Sequence, residues 1–373
     1  MTLHIIPDSV FTDFVINKLN QLDYGNHKFI LFMGAVDDKP KHTRYKLDIV
    51  SPNEIKSQVF ITSLEQYDFI VIHSLVALAL KKLVISSSVN IKFVWLGWGG
   101  DYYDMITPHK QLFDRKTFNL MNKLYSFKQK LKMLIKTLIR YDIKAIELYK
   151  KVEYFSSIVY DEYEMIEKHT FPLHTKYIPF SYGQLENDLL KGIENLHIHD
   201  TNILLGNSAS YTNNHIEIID TLKTLNLGNR KIITPLSYGD TKYSNYIMNY
   251  GQKHLGSNFK PLVDFLDKEK YNTLLTSCSI CIINTRRQQA VGNIITMLYF
   301  GSKLFLNEEN ILYSFFKNSG AVIFSIQEIS KEFSSPLKER EIKMNRKVLH
   351  KHWGEDAVNK KYLEFIKTVQ KGE

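Results

Sequence analysis

Two series of short apolar runs, each bounded by turn residues and separated by stretches of helical character, restrict this chain to one class of fold. In the first 100 residues the runs are LHIIP near the start, KFILFMG at 28–34, YDFIVIHS at 67–74 and IKFVWLGWGG at 91–100. A second series opens with TNILLGNSAS at 201–210. It continues through KIITPLSYG at 231–239, SICIINT at 279–285, SKLFLNE at 302–308 and AVIF at 321–324. Unbroken apolar runs of this length predict parallel strands buried on both faces. A connecting helix between His73 and Asn90, and helical candidates at 213–225, 242–255, 270–277 and 292–300, complete a βαβ pattern. The expectation is an α/β protein with two Rossmann-like units, residues 1–185 and 186–340, the boundary falling within 180–200. A charged helical segment, 341–373, follows.

The chain has 373 residues, 44% of them hydrophobic, enough for two buried cores. Its formal net charge of +9 points to an acidic partner: nucleic acid, nucleotide phosphate or an anionic membrane surface. The N-terminus lacks the basic and apolar regions of a signal peptide, and no run reaches the 18 uncharged apolar residues of a spanning helix. A soluble or peripheral protein is expected. The two cysteines, Cys278 and Cys281, have C-x-x-C spacing, but no second ligand pair completes a zinc site. Buried structural thiols are the favoured reading.

Loops after parallel strands carry ligand sites, because the carboxyl edge of the sheet opens to a crevice. Two adjacent arginines, Arg286 and Arg287, follow the SICIINT strand in a chain with only eight arginines. They stand ahead of Gly292 and Asn293, where an apolar helix begins. Fixed charge beside unpaired helix N–H groups suits a diphosphate, and a solvated loop is the alternative. Gly206, Asn207 and Ser208 open a small-residue loop where a diphosphate could also rest, although such loops are routine strand-to-helix turns. Tyr238 lies in a third polar loop. Asn307, Glu308 and Glu309 end a later strand, where a carboxylate could accept from ribose hydroxyls or form a solvated turn. In the first unit, the loop from Trp95 to Asp104 combines tryptophans, glycines and aspartates without a G-x-G-x-x-G fingerprint. Aromatic walls with carboxylates suit carbohydrate, and Asp101 is a candidate general base ahead of His73, which ends another strand. Residues 115–140 carry eight Lys or Arg and no acid, with apolar residues at helical spacing. This basic amphipathic stretch suits an anionic bilayer; an RNA or calmodulin-like partner, or a packed helix with a solvated face, fits the same pattern.

These residues, taken in order, resemble a known family. WLGWGGDYYD, ILLGNSASYTNNH, TPLSYG, RQQAVGN at 287–293 and FLNEEN at 305–310 are similar to the motifs of the bacterial transferases, often called 4-alpha-L-fucosyltransferases, that add 4-acetamido-4,6-dideoxygalactose to lipid II of enterobacterial common antigen. The likeness spans most of the chain to about residue 325. It implies a GT-B glycosyltransferase, two Rossmann-like domains facing across a cleft, with the sugar nucleotide in the C-terminal domain and the acceptor in the N-terminal one. It further implies no bound metal and no other cofactor, Arg287 and helix N–H groups taking the place of a cation. By the family pattern Arg287, Gln288, Gln289, Gly292, Gly206, Asn207, Ser208 and Tyr238 carry over, while Arg286 matches less well. The expected activity is transfer of a deoxyamino or related sugar from a dTDP or UDP donor to a lipid-diphosphate-linked or surface-polysaccharide acceptor, at the cytoplasmic face of the bacterial inner membrane. No nucleic-acid partner is expected on this reading. The alternative is a basic protein that binds nucleic acid or membrane without catalysis.

Overall fold

The computed structural model describes residues 1–88, 90–103, 107, 109–131, 144–169, 175–193 and 196–371. Two compact units emerge. The first comprises Met1–Ile106, Lys136–Gln184 and Trp353–Glu373; the second comprises Thr107–Ile135 and Leu185–His352.

In the first unit, β1 (Thr2–Pro7), β2 (His27–Phe32), β3 (Asp48–Val50), β4 (Phe69–His73), β5 (Phe93–Leu96), β6 (Val152–Ser156) and β7 (Lys176–Tyr177) form one parallel sheet. Its order is β3-β2-β1-β4-β5-β6-β7. Strands such as β4 are buried throughout, which explains runs without polar alternation. Helices Thr12–Leu22 and Glu355–Lys371 cover one face, burying Val15, Ile16, Leu19, Val358, Tyr362 and Phe365 against Phe29, Leu31 and Val71. The apolar positions of the last helix recur at 358, 362, 365, 366 and 369, the spacing of a single helical stripe.

The second unit contains β8 (Asn202–Leu205), β9 (Ile232–Pro235), β10 (Phe259–Leu262), β11 (Cys278–Ile283), β12 (Lys303–Leu306) and β13 (Phe324–Ser325). All pair in parallel, in the order β10-β9-β8-β11-β12-β13. Because β8 pairs with both β9 and β11, the direction of winding reverses there, and the loops after β8 and β11 flank the switch point. Cys278 and Cys281 are free, buried thiols on β11. Burial pushes the Cys278 thiol up to about 12, so neither the spacing nor the protonation state makes it a reactive pair.

Two stretches depart from the division drawn on the sequence. Helix Arg115–Leu124 belongs to the second unit, where Thr117 donates from its backbone N–H to Glu217 Oε1 at 2.9 Å and from its hydroxyl to Oε2 at 2.7 Å. The helix stops at Tyr125, whose backbone is extended, so 115–140 is not one continuous helix; residues 132–143 lie outside the described part. The C-terminal segment does not stand apart. Helix Glu339–Trp353 ties into the second unit, Arg346 Nε donating to the Tyr299 carbonyl at 2.7 Å, and the next helix completes the core of the first.

Candidate functional site

The carboxyl edge of the second sheet gathers three loops. Gly206 follows β8 with φ +69°, and a Cβ there would lie 2.5 Å from His215 Nε2, so only glycine fits. The next residue is the hub. Asn207 Nδ2 donates to the Tyr238 hydroxyl at 3.0 Å, and Asn207 Oδ1 accepts from Gln289 Nε2 at 2.8 Å. Gln289 Oε1 in turn accepts from Thr212 Oγ1 at 2.8 Å. Residues from the loops after β8, β9 and β11 are thereby joined in one polar chain. A second link joins the first two loops through backbone: Ala209 N–H donates to Tyr238 O at 2.8 Å, and Asp240 N–H to Ala209 O at 2.9 Å. Gly239 makes the approach possible, since a Cβ would stand 2.5 Å from Ala209 O. Ser208 is buried and receives Asn213 Nδ2 on both its carbonyl and hydroxyl oxygens, which makes it part of the loop's frame.

The arginines divide. Arg286 Nε and Nη2 donate to Asp114 Oδ1 at 3.1 and 2.7 Å, and Nη1 to Glu309 Oε2 at 3.0 Å and Gln111 O at 3.3 Å. With two carboxylates already on it, Arg286 acts as a latch that holds the segment 111–114 to this edge. Asn307 serves the same frame. Its Nδ2 donates to Asn284 Oδ1 at 2.8 Å, and Asn284 Nδ2 donates to Asp114 Oδ2 at 2.8 Å. Glu309 is therefore an ion-pair partner here, where the sequence suggested a ribose acceptor. Arg287 is half-buried. Its Nη1 donates to the carbonyl of Gln288 at 3.1 Å, and buried Asn310 fixes its backbone, Nδ2 donating to Arg287 O at 2.8 Å. Gln288 is buried with Oε1 lacking a hydrogen-bond partner.

Helix Val291–Phe300 starts beside these residues. Ala290 precedes it in the left-handed region at φ +61° without a side-chain cap, so the first-turn N–H groups keep their hydrogen-bonding capacity. Gly292 is exposed in that turn, and the nearest atom to a Cβ built on it is 3.9 Å away. Asn293 turns elsewhere, its Nδ2 donating to the Tyr271 hydroxyl at 2.8 Å.

In the first unit, Asp101 is 2% exposed. Its Oδ2 accepts from Leu75 N at 2.9 Å and Trp95 Nε1 at 2.8 Å, and Oδ1 from Trp98 N at 2.9 Å. Burial pushes its carboxyl above the ordinary range despite these donors. Asp101 is thus a brace between the loops after β4 and β5, not an open base. Trp95 is likewise core, packed on Tyr102, Tyr149 and Phe155. Trp98 is half-buried against Phe11 and Tyr182. His73 is fully buried, with Nδ1 2.9 Å from the Tyr182 hydroxyl and Nε2 2.9 Å from His4 Nδ1.

Sequence reasoning missed Asp114, Thr212, Asn284, Asn310, His4 and Tyr182. Each acts through a partner distant along the chain; Thr212 and Asn310 lie inside the motifs ILLGNSASYTNNH and FLNEEN, where nothing local marks them.

A family model described as 4-alpha-L-fucosyltransferase, glycosyl transferase group 56, matches residues 161–351. The chain belongs to this family. It is a glycosyltransferase of the GT-B fold. Among solved structures, it is similar to a sucrose-phosphate synthase from Thermosynechococcus elongatus with a TM-score of 0.68, at 9% identity over 100% of this chain and 99% of that one. A glycosyltransferase from Rickettsia africae ESF-5 gives a TM-score of 0.61 at 12% identity, covering 100% and 99%. A UDP-forming α,α-trehalose-phosphate synthase from Burkholderia vietnamiensis gives 0.60 at 8%, covering 100% and 97%. The likenesses concern fold alone at these identities. Among the described residues of the transferase, no helix is long and apolar enough to cross a membrane.

Proposed function

We propose that the transferase moves a deoxyamino or related sugar from a dTDP or UDP donor, held at the carboxyl edge of the second unit, to a lipid-diphosphate-linked glycan acceptor that uses the first. The observation carrying this reading is the Asn207–Tyr238–Gln289 chain at the switch point, beside Arg287 and the uncapped first turn of helix Val291–Phe300. A leaving diphosphate needs its growing charge neutralised. Arg287 and the N–H groups of that turn supply this without a bound cation, and Gln288 Oε1 offers a buried acceptor to the sugar nucleotide. Arg286, held by Asp114 and Glu309, positions the loop and does not touch phosphate. Membrane association rests on the turns after Tyr125, where Phe127 is 80% and Leu131 45% exposed among lysines 128 and 130. Calorimetric titration with dTDP and UDP in EDTA tests the reading. Binding of one nucleotide, abolished by Asn207→Asp through repulsion of the diphosphate, is the expected result; absence of binding to both overturns it.

A further inference from the structure

Three adjacent strands of the first unit each carry a buried histidine, and their rings are in contact. His4 Nδ1 lies 2.9 Å from His73 Nε2, and His4 Nε2 lies 2.9 Å from His27 Nδ1. The series continues at both ends: His73 Nδ1 is 2.9 Å from the Tyr182 hydroxyl, and His27 Nε2 is 3.2 Å from Asp23 Oδ2. Register explains the alignment. His4 pairs with Val71 on β4 and Phe29 on β2. His73 lies two residues beyond Val71 and His27 two before Phe29, so period-two alternation puts all three on one face. The series therefore crosses the sheet from the carboxyl end of β4 to the amino end of β2.

The surroundings are apolar. His4 stacks on Phe29 at 4.7 Å, and Phe180 and Phe365 flank the other rings. Val or Leu would pack there without the cost of desolvating an imidazole. Burial holds His73 down near 3 and His4 well below its usual value, so these rings are neutral. A neutral imidazole has one N–H and one lone pair. His27 Nε2 lies at ion-pair distance from Asp23 Oδ2 without a formed hydrogen bond. Because a carboxylate repels a facing lone pair, the His27 proton sits on Nε2, which leaves Nδ1 to accept from His4 Nε2. The same logic makes His73 donate from Nε2 to His4 and accept from Tyr182. One carboxylate thus orders the whole series. Among the described residues no His, Cys, Asp or Glu group converges as a metal-ligand set.

Resting on the acceptor site proposed above, we infer that Tyr182, His73, His4, His27 and Asp23 form a proton relay that draws the acceptor hydroxyl's proton away during glycosyl transfer. Tyr182 stands at the carboxyl edge, its ring against Trp98 and Phe11 from the loops after β5 and β1. As the acceptor oxygen bonds to the sugar and the diphosphate leaves with the electron pair of the broken bond, the hydroxyl proton passes to Tyr182 oxygen. The tyrosine's proton moves to His73 Nδ1, each Nε2 proton moves one ring onward, and one proton reaches Asp23, whose side chain is 14% exposed to water. The reverse hops in the empty enzyme restore the starting order.

Two measurements test this. Nitrogen-15 NMR of histidine-labelled full-length protein is expected to find Nε2–H tautomers at residues 4, 27 and 73; an Nδ1–H tautomer at any one of them overturns the relay whatever the acceptor. In transfer assays, His4→Leu is expected to lower kcat on the order of 10² with little change in either KM. His4→Ala is expected to recover rate in millimolar imidazole, which a merely structural role would not produce. If His4→Leu fails to fold, Asp23→Asn reports instead, at a partly exposed position, with a similar loss of kcat. Unchanged kcat in the folded variants overturns the relay and leaves the transferase reading standing.

Discussion

Replacing each of the adjacent arginines in turn separates a structural from a chemical role. Arg286 makes charged hydrogen bonds to Asp114 and Glu309 in addition to the Gln111 carbonyl. A hydrogen bond to a charged group is worth about 1.5–3 kcal/mol, but Glu309 is 59% exposed and its pair contributes little. Most of the cost comes from Asp114, 16% exposed, left without its cation. Arg286→Ala therefore costs about 2–3 kcal/mol, which lowers Tm by roughly 5–10 °C for a unit of this size. The expected fall in kcat is smaller than tenfold. On the proposed reading Arg287→Ala removes charge from beside the leaving diphosphate, worth about 3–4 kcal/mol or 10²–10³ in kcat. Differential scanning fluorimetry and initial rates with the nucleotide sugar measure both. A 10²-fold loss of kcat in Arg286→Ala at unchanged Tm, with Arg287→Ala near wild type, refutes the assignment.

Three further outcomes follow from the geometry. Asp101→Asn puts an amide N–H or a weaker acceptor where three donors converge, so Tm should fall by roughly 5–10 °C for a loss of about 2–3 kcal/mol, while loss of kcat at unchanged Tm would return Asp101 to the role of base. Buried Glu162, beside Tyr102 and Tyr103, is pushed up to about 7 by desolvation. Between the unfolded value of 4.5 and 7 the folded state binds more protons, so this group makes stability fall as pH rises through that window. His73 and His215, held near 3 by burial, act oppositely and lose stability as pH falls below 6.5. Glu162→Gln should thus raise denaturant stability relative to wild type by up to about 3 kcal/mol at pH 8 and by little at pH 4.5; an equal difference at both pH values contradicts it. Phe127→Glu with Leu131→Glu should reduce sedimentation with anionic vesicles by about tenfold at unchanged nucleotide affinity, and undiminished binding would remove these side chains from the membrane contact.

The structure also marks where local reading gave way. The strand β10 carries Pro261 in FKPL and sits at the sheet edge, where a missing N–H is tolerated; its short, mixed sequence resembles a loop. Helix Arg115–Leu124 has the basic, amphipathic pattern of a membrane-facing helix, yet Thr117, Leu120 and Met121 are buried. Hydrophobic spacing identifies a face without identifying what covers it. Asp101 follows the same rule: a carboxylate in an aromatic loop reads as a base until its three donors are known.

By itself the sequence determined the α/β class, the order of most strands and helices, and the loops that carry polar residues. Apolar runs, turn residues and helical spacing are local properties, and each segment's neighbours along the chain are enough to express them. RQQAVGN runs from one such loop into helix Val291–Phe300, so its placement after β11 was legible. Partners distant in the chain were not. Only the tertiary structure brought Asn207 to Tyr238 and Gln289, and set Arg286 on Asp114, 172 residues away. Only strand register aligned His4, His27 and His73, and only packing returned the final helix to the first unit. The physical reason is common to all of these: a hydrogen bond or ring contact forms where the sheet order places two side chains, and that order belongs to the whole fold.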